Sequence, residues 1–439
     1  MPGNPSTVST KQQRIAELAK RSPEMGFTSL AHLMDLEWLR EAFRRTRKDG
    51  APGVDGQTWD EYAEDRDRNL TSLLDRAKSG SYRAPPVRRV HIPKGTGNET
   101  RPIGVPTLED KVLQRAVVML LEPIYEHDFL DCSHGYRKDH SAHTALHSLR
   151  EQMMALRGCW LVEVDIRRFF DSVVHSHLRS FFQERVCDGV LRRLVGKWLK
   201  PGVLEDGVAY HPEDGTPQGG VISPALANLY LHQVLDQWFE NDIKPLLGGP
   251  AFLVRYADDA VLGFACREDA ERVLEALPKR FARFGLQLHP EKTRMVPFWR
   301  PPRGVRPRDL QDDQTPGTFD FLGFRHYWAR SRDGHWVIKR KTASDRLSGA
   351  LHRISQWCRF HRHDPLDEQR AALARKLQGH YNYYGITGNG PRLAEFQHWV
   401  ERLWHKWLNR RGGRPHDWPA FLRLLQRYPL PQAAVVHVV

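Results

Sequence analysis

The chain has 439 residues, with 66 Lys plus Arg against 53 Asp plus Glu and a formal net charge of +13. With 40% hydrophobic and 27% charged residues it can build packed cores, which excludes disordered and collagen-like classes. Its five cysteines are scattered without any C-x-x-C pair, which excludes a zinc ribbon or a disulfide framework. No apolar stretch approaches the roughly 20 residues needed to span a bilayer. The opening MPGNPSTVSTKQQR lacks the apolar segment of a secretion signal. The expectation is an intracellular protein with an anionic partner, most simply a nucleic acid.

In chain order, residues 12–48 place apolar side chains such as Leu36, Leu39 and Phe43 at helical spacing, and the helices stop at Gly50-Ala51-Pro52-Gly53. A turn at Gly53-Val54-Asp55-Gly56 precedes an amphipathic helix around Trp59 to Lys78. Residues 87–106, VRRVHIPKGTGNETRPIGVP, are two extended runs joined by a Gly-rich polar loop, which predicts a β-hairpin. From 108 to 126 the period is helical again and is expected to close at Pro123. Residues 160–166, WLVEVDI, form a β-type run that ends in an acid. A second run, residues 252–256, leads into Ala257-Asp258-Asp259 and then Ala-Val-Leu-Gly-Phe264. Strands alternating with helices imply an α+β fold.

Residues 300–317, RPPRGVRPRDLQDDQTPG, read as a polar hinge. Beyond it, residues 326–439 carry 20 Lys plus Arg and 8 Asp plus Glu, so +12 of the net +13 lies there. Leu393, Phe396, Val400, Leu403 and Trp407 define one apolar stripe of a helix whose other faces carry Arg402, Lys406, Arg410 and Arg411. A solvated helix usually alternates its charge signs, and here acids are few.

Asp165 follows one apolar run, and Asp258-Asp259 sits at the tight turn between two others. Adjacent acids between apolar strands repel each other and lose hydration unless a cation offsets them. A hairpin that presents them beside Asp165 offers hard oxygen ligands for Mg²⁺. Two such ions about 3.5–4 Å apart can clamp an in-line phosphoryl displacement.

The succession of GVDG (53–56), RPIGVPTLEDKVLQRAV (101–117), SHGYRKDHSAHTAL (133–146), EVDIRRFFDSV (163–173), GTPQGGVISPALANLYL (215–231), RYADDAVLGF (255–264), GLQLHPEKTRMV (285–296) and FDFLGF (319–324) resembles the ordered blocks of bacterial group II intron reverse transcriptases. The stretch LQGHYNYYGITGN (377–389), with the tryptophan-rich helix after it, resembles their thumb and maturase region, domain X. The resemblance implies a right-hand polymerase: an N-terminal helical extension in 1–58, fingers and an antiparallel palm in 59–325, and a basic helical thumb in 326–439.

It assigns Asp165, Asp258 and Asp259 to two Mg²⁺ ions, with Mn²⁺ as a possible substitute. Phe170 falls where bulk under the sugar would exclude a 2′-hydroxyl. Gln218 falls beside the nascent base pair, Lys94 and Arg101 where fingers reach the triphosphate, and Lys292 where it supports the active site. Arg402, Lys406, Arg410 and Arg411 are expected to bind RNA, while Tyr381, Tyr383 and Tyr384 are expected to pack the thumb.

The implied partners are an RNA template, a DNA primer, dNTPs and group II intron RNA, in the bacterial cytoplasm and without a membrane. Many relatives carry a cysteine- and histidine-bearing endonuclease module; this sequence shows no such pairs, so no second nuclease is expected. Two other readings share these residues: an RNA-binding splicing factor with incidental polymerisation, and a reverse transcriptase domesticated for phage defence or DNA repair.

Overall fold

The computed structural model describes residues 7–93, 100–156, 158–200, 203–205, 208–210, 219–302, 315–412 and 415–438. Lys94, Gln218 and residues 303–314 of the expected hinge lie outside the described residues. The chain falls into two compact units. One is drawn from Met1–Lys94, Glu99–Ala145 and Leu161–Met295, the other from Leu146–Trp160 and Val296–Val439.

Helices open the first unit. Asp35 caps Leu36–Arg44 by accepting from the Trp38 amide, and it is paired with Lys11 of the helix Thr7–Arg21. The helix expected around Trp59 to Lys78 is two helices, Trp59–Glu64 and Arg66–Ser79. Asp65 breaks the run with φ −112° and ψ 33°, and Asn69 Nδ2 donates to the Tyr62 carbonyl freed at the break. Conversely, Pro123 does not close its helix, which runs Leu108–Asp128. A proline cannot donate to the carbonyl four residues back. Gln12 Nε2 supplies that bond instead, 2.9 Å from the Met119 oxygen.

Eleven strands are described, and those within 87–105, 158–164 and 251–264 fall on the extended runs read from the sequence. The eleven are β1 (Val87–Pro93), β2 (Thr100–Val105), β3 (Gly158–Val164), β4 (Val203–Glu205), β5 (Val208–Tyr210), β6 (Ala251–Tyr256), β7 (Asp259–Phe264), β8 (Arg294–Trp299), β9 (Phe319–Phe321), β10 (Phe324–Arg330) and β11 (Trp336–Thr342). β1 and β2 form the expected antiparallel hairpin, with Arg88 opposite Val105 and Pro93 opposite Thr100. β4 extends this sheet in parallel with β1, giving the order β2-β1-β4-β5. A second sheet has the order β6-β7-β3-β8, in which β6 and β7 are antiparallel. Five of the six β7 residues are buried, as expected for a strand covered on both faces.

In the second unit, β9, β10 and β11 form an antiparallel sheet. The helices Ser344–Phe360, Leu366–Tyr384, Gly390–Leu408 and Trp418–Arg427 pack around Leu377, Leu393, Val400, Trp404 and Phe421. The buried stripe of Gly390–Leu408 departs from the expected one after Val400. Trp404 and Leu408 are buried, whereas Leu403 and Trp407 are half-buried. Trp404 is drawn inward by an edge-on contact with Phe421 and a 2.9 Å bond from its indole to Gln369 Oε1. Tyr381 is buried and Tyr383 donates to the Leu322 carbonyl, so both pack. Asn389, also buried, bonds Thr342 through backbone and side chain and takes in the Tyr384 carbonyl, tying β11 to the helices.

Candidate active site

The candidate site is built at the ends of β3 and β6. Asp165 leaves β3 and is clipped to the segment after Gly285: its carbonyl accepts from the His289 amide at 2.8 Å, and Arg167 N donates to Gln287 O. The same segment brings Lys292 Nζ to 3.3 Å from Asp165 Oδ2, where the exposed lysine supplies one positive charge.

At the other strand end, Tyr256 pairs with Asp259, leaving Ala257 and Asp258 as a two-residue turn. Ala257 has φ +56°, the left-handed conformation that glycine normally fills. Holding an alanine there costs about 1–3 kcal/mol unless neighbours over-determine it.

They do so through Arg255. Its guanidinium is fully buried and bonds both carboxylate oxygens of the equally buried Asp236, at 2.7 and 2.6 Å. It also donates to Asn228 Oδ1, to Ser133 Oγ and, at 2.9 Å, to the carbonyl of Ala257 itself. Asp236 ends a wide π-helical stretch, His232–Asp236, that follows the helix Ser223–Leu231. Burial alone would raise its carboxyl, but Arg255 overrides this and holds Asp236 below the ordinary carboxylate range. Sequence reasoning missed this pair. An arginine inside an apolar run looks like an exposed edge position, and only an acid 19 residues away makes its burial tolerable.

Asp258 lies against this network. Burial pushes its carboxyl above the usual value and Asp165 adds to the shift, while Arg101 and Arg255 oppose it. Asp259 begins β7 and is exposed. Asp258 is therefore electrostatically coupled to Asp165 and to Arg101 of β2. Among the described residues no group of three or more His, Cys, Asp or Glu closes around a metal position. The chemistry of the donors nevertheless fits a divalent ion. They are hard carboxylate oxygens, one of them raised by burial and by its neighbour's charge, which a cation would relieve.

Phe170, half-buried in the turn Phe169–Ser172, meets the buried Phe169 edge-on with ring centroids 5.3 Å apart. Gly219 has φ +117°, and a Cβ there would lie 2.4 Å from the Gly104 oxygen, so only glycine lets this backbone approach β2. The following residues are held by Gln114, whose Oε1 accepts from Ile222 N at 3.1 Å and whose amide bonds the buried Asp110.

In the second unit, Arg402 lies over the Trp418 ring at 5.2 Å. Lys406 and Arg410 both lie over Trp407, at 5.6 and 5.2 Å. All three cations are exposed, and Arg411 is half-buried.

A pair of acid-bearing strand ends in an α+β sheet, a finger-like hairpin and a helical C-terminal region define a template-directed polymerase of the reverse transcriptase class. The chain belongs to the reverse transcriptase (RNA-dependent DNA polymerase) family, whose model matches residues 92–326 and spans all three acids. The family has the right-hand polymerase fold and uses divalent metal ions, with RNA and DNA as partners.

The chain is 34% identical over 332 residues to protein YkfC of Escherichia coli (strain K12), covering 66% of this chain and 84% of that protein. To the group II intron-encoded protein LtrA of Lactococcus lactis subsp. cremoris it is 40% identical over 182 residues, covering 42% of this chain and 30% of LtrA. It is 26% identical over 312 residues to the putative COX1/OXI3 intron 1 protein of Saccharomyces cerevisiae, covering 60% of this chain and 37% of that protein. No helix among the described residues is long and apolar enough to cross a membrane.

Proposed function

We infer that this chain is an RNA-directed DNA polymerase that adds dNTPs to a primer 3′-hydroxyl and also binds group II intron RNA as a maturase. The observation that carries the polymerase reading is the strained Ala257-Asp258 turn, fastened by Arg255 and coupled to Asp165 and Arg101. Two Mg²⁺ ions held by Asp165, Asp258 and Asp259, replaceable by Mn²⁺, would make the 3′-hydroxyl a better nucleophile and offset charge on the departing pyrophosphate.

Arg101 supplies a forked cation for the triphosphate, and Lys94 is proposed to assist it. Phe170 sets a wall against a ribose 2′-hydroxyl, Gln218 flanks the nascent pair, and Lys292 balances Asp165. The functional segments are an N-terminal extension in 1–58, fingers and palm in 59–325 and a thumb in 326–439.

Asp258→Ala should abolish cDNA synthesis from an RNA template with dNTPs and Mg²⁺ while leaving RNA affinity nearly intact; retained synthesis sinks the assignment. The maturase part rests on the exposed cation–aromatic face of Gly390–Leu408, with Arg411 at its end, and on the likeness to intron-encoded LtrA. The working compartment is the bacterial cytoplasm, where such RNA is made. If RNA binding rather than polymerisation is the selected activity, the Asp258 variant still promotes intron excision.

A further inference from the structure

The loop from Ser133 to His140 is anchored on both sides of one outward-facing ring. His134 N donates to the Arg255 carbonyl at 2.8 Å, and Arg255 N donates to Cys132 O at 2.7 Å, so the loop rides on β6. Gly135 lies flat against the acid-bearing turn: a Cβ there would sit 2.3 Å from the Ala257 nitrogen. Its carbonyl accepts from the Asn228 amide. On the other side the Arg137 side chain is only 4% exposed. It grips Glu126 Oε1 and the carbonyls of Leu130 and Ser133.

Between these anchors stands Tyr136, with φ +56° and 57% exposed. A left-handed conformation is uncommon for a bulky residue, and core packing does not explain it, because the ring faces outward. Its hydroxyl lies within electrostatic reach of Asp258, Tyr256, Arg101 and Asp259. An anionic substrate drawn to Arg101 would therefore come within reach of this ring. A phenol offers both an apolar face for a sugar or base and a donor for a phosphate oxygen.

We propose that Tyr136 is a binding residue for the incoming deoxynucleoside triphosphate, presented beside the acids by the Gly135 and Arg137 anchors. This rests on the polymerase reading. The test is single-nucleotide addition by the full chain on an RNA template and DNA primer with Mg²⁺, together with primer–template affinity by fluorescence anisotropy and urea unfolding.

Asparagine accepts the left-handed conformation readily, so Tyr136→Asn should unfold no more easily than the wild type while removing the ring. The expected result is a KM for dNTP raised about tenfold, the scale of one lost base–aromatic contact, with primer–template affinity within about twofold of the wild type. Tyr136→Phe keeps the ring and should stay within about threefold of the wild-type KM, on the scale of one lost hydrogen bond. An unchanged KM in Tyr136→Asn overturns the proposal, as does weakened primer–template affinity at unchanged KM, which would put the ring on the duplex. A wild-type chain that incorporates no dNTP would instead overturn the polymerase reading.

Discussion

Single residues decide whether the acid turn can exist. Asp258 is useful only if Ala257 stays left-handed, and the clamp on that turn is the carbonyl bond from Arg255. Asp236→Asn would leave a buried guanidinium without its counter-charge, and breaking a buried pair in this way costs about 3–5 kcal/mol. Urea unfolding should show a loss on that scale, with cDNA synthesis falling alongside; a change under about 1 kcal/mol would show that Arg255 finds other compensation. Phe170 presents a narrower case, since its ring is half-buried against Phe169 and is not needed to fill the core. Phe170→Ala should relax discrimination against rNTPs in incorporation assays on an RNA template, and unchanged discrimination would remove its role as the sugar wall. The candidate acids stood out in the sequence because Asp165 follows one apolar run and Asp258-Asp259 separates two others. Arg255 was not, because nothing local distinguishes a buried arginine in a strand from an exposed one.

At the level of elements, the helix Leu108–Asp128 carries the loop after Gly219-Gly220 through a buried carboxylate. Asp110 accepts from the Tyr82 hydroxyl, the Trp198 indole at 2.7 Å and the Gln114 amide at 3.0 Å. Burial pushes its carboxyl up to about 6, with those hydrogen bonds opposing the shift. A raised carboxyl holds its proton in the folded state at pH values where the unfolded chain has lost it, so its contribution to stability falls as pH rises from about 4 to 6. Asp110→Asn removes that titration. The stability difference between wild type and variant, followed by urea unfolding, should therefore shift against the wild type by up to about 3 kcal/mol across this window and then level off. A flat difference would mean that Asp110 titrates normally.

The same helix shows the limit of local rules. Pro123 read as a stop, yet Gln12, 107 positions before Met119, repairs the missing donor. The thumb-like helix Gly390–Leu408 makes a related point, since Phe421 of a later helix, not periodicity, selects Trp404 for the core.

Across the whole molecule, +12 of the net +13 charge lies after residue 325. Arg402, Lys406 and Arg410 are exposed and stacked on indoles, which holds each cation in place without neutralising it. Reversing all three to Glu should weaken RNA binding and lower the slope of log affinity against log salt by about 2, close to the counterion release of three contacts on single strands. An unchanged slope would place the RNA contacts elsewhere. Because this surface is separate from the Asp258 turn in sequence and in compact unit, the triple reversal should leave single-nucleotide addition at saturating primer–template intact.

By itself the sequence determined the reaction class, where three candidate acids fall and the location of excess charge. These reside in short ordered motifs, strand-end positions and composition, all of which are local quantities. Tertiary structure alone decided which groups come together: the Asp236–Arg255 clamp, the Asp110 bonds behind the glycine loop, the Trp404 core position and the outward ring of Tyr136. Each depends on partners far apart in the chain, and the cost of burying a charge or straining a backbone is offset only when folding brings those partners together.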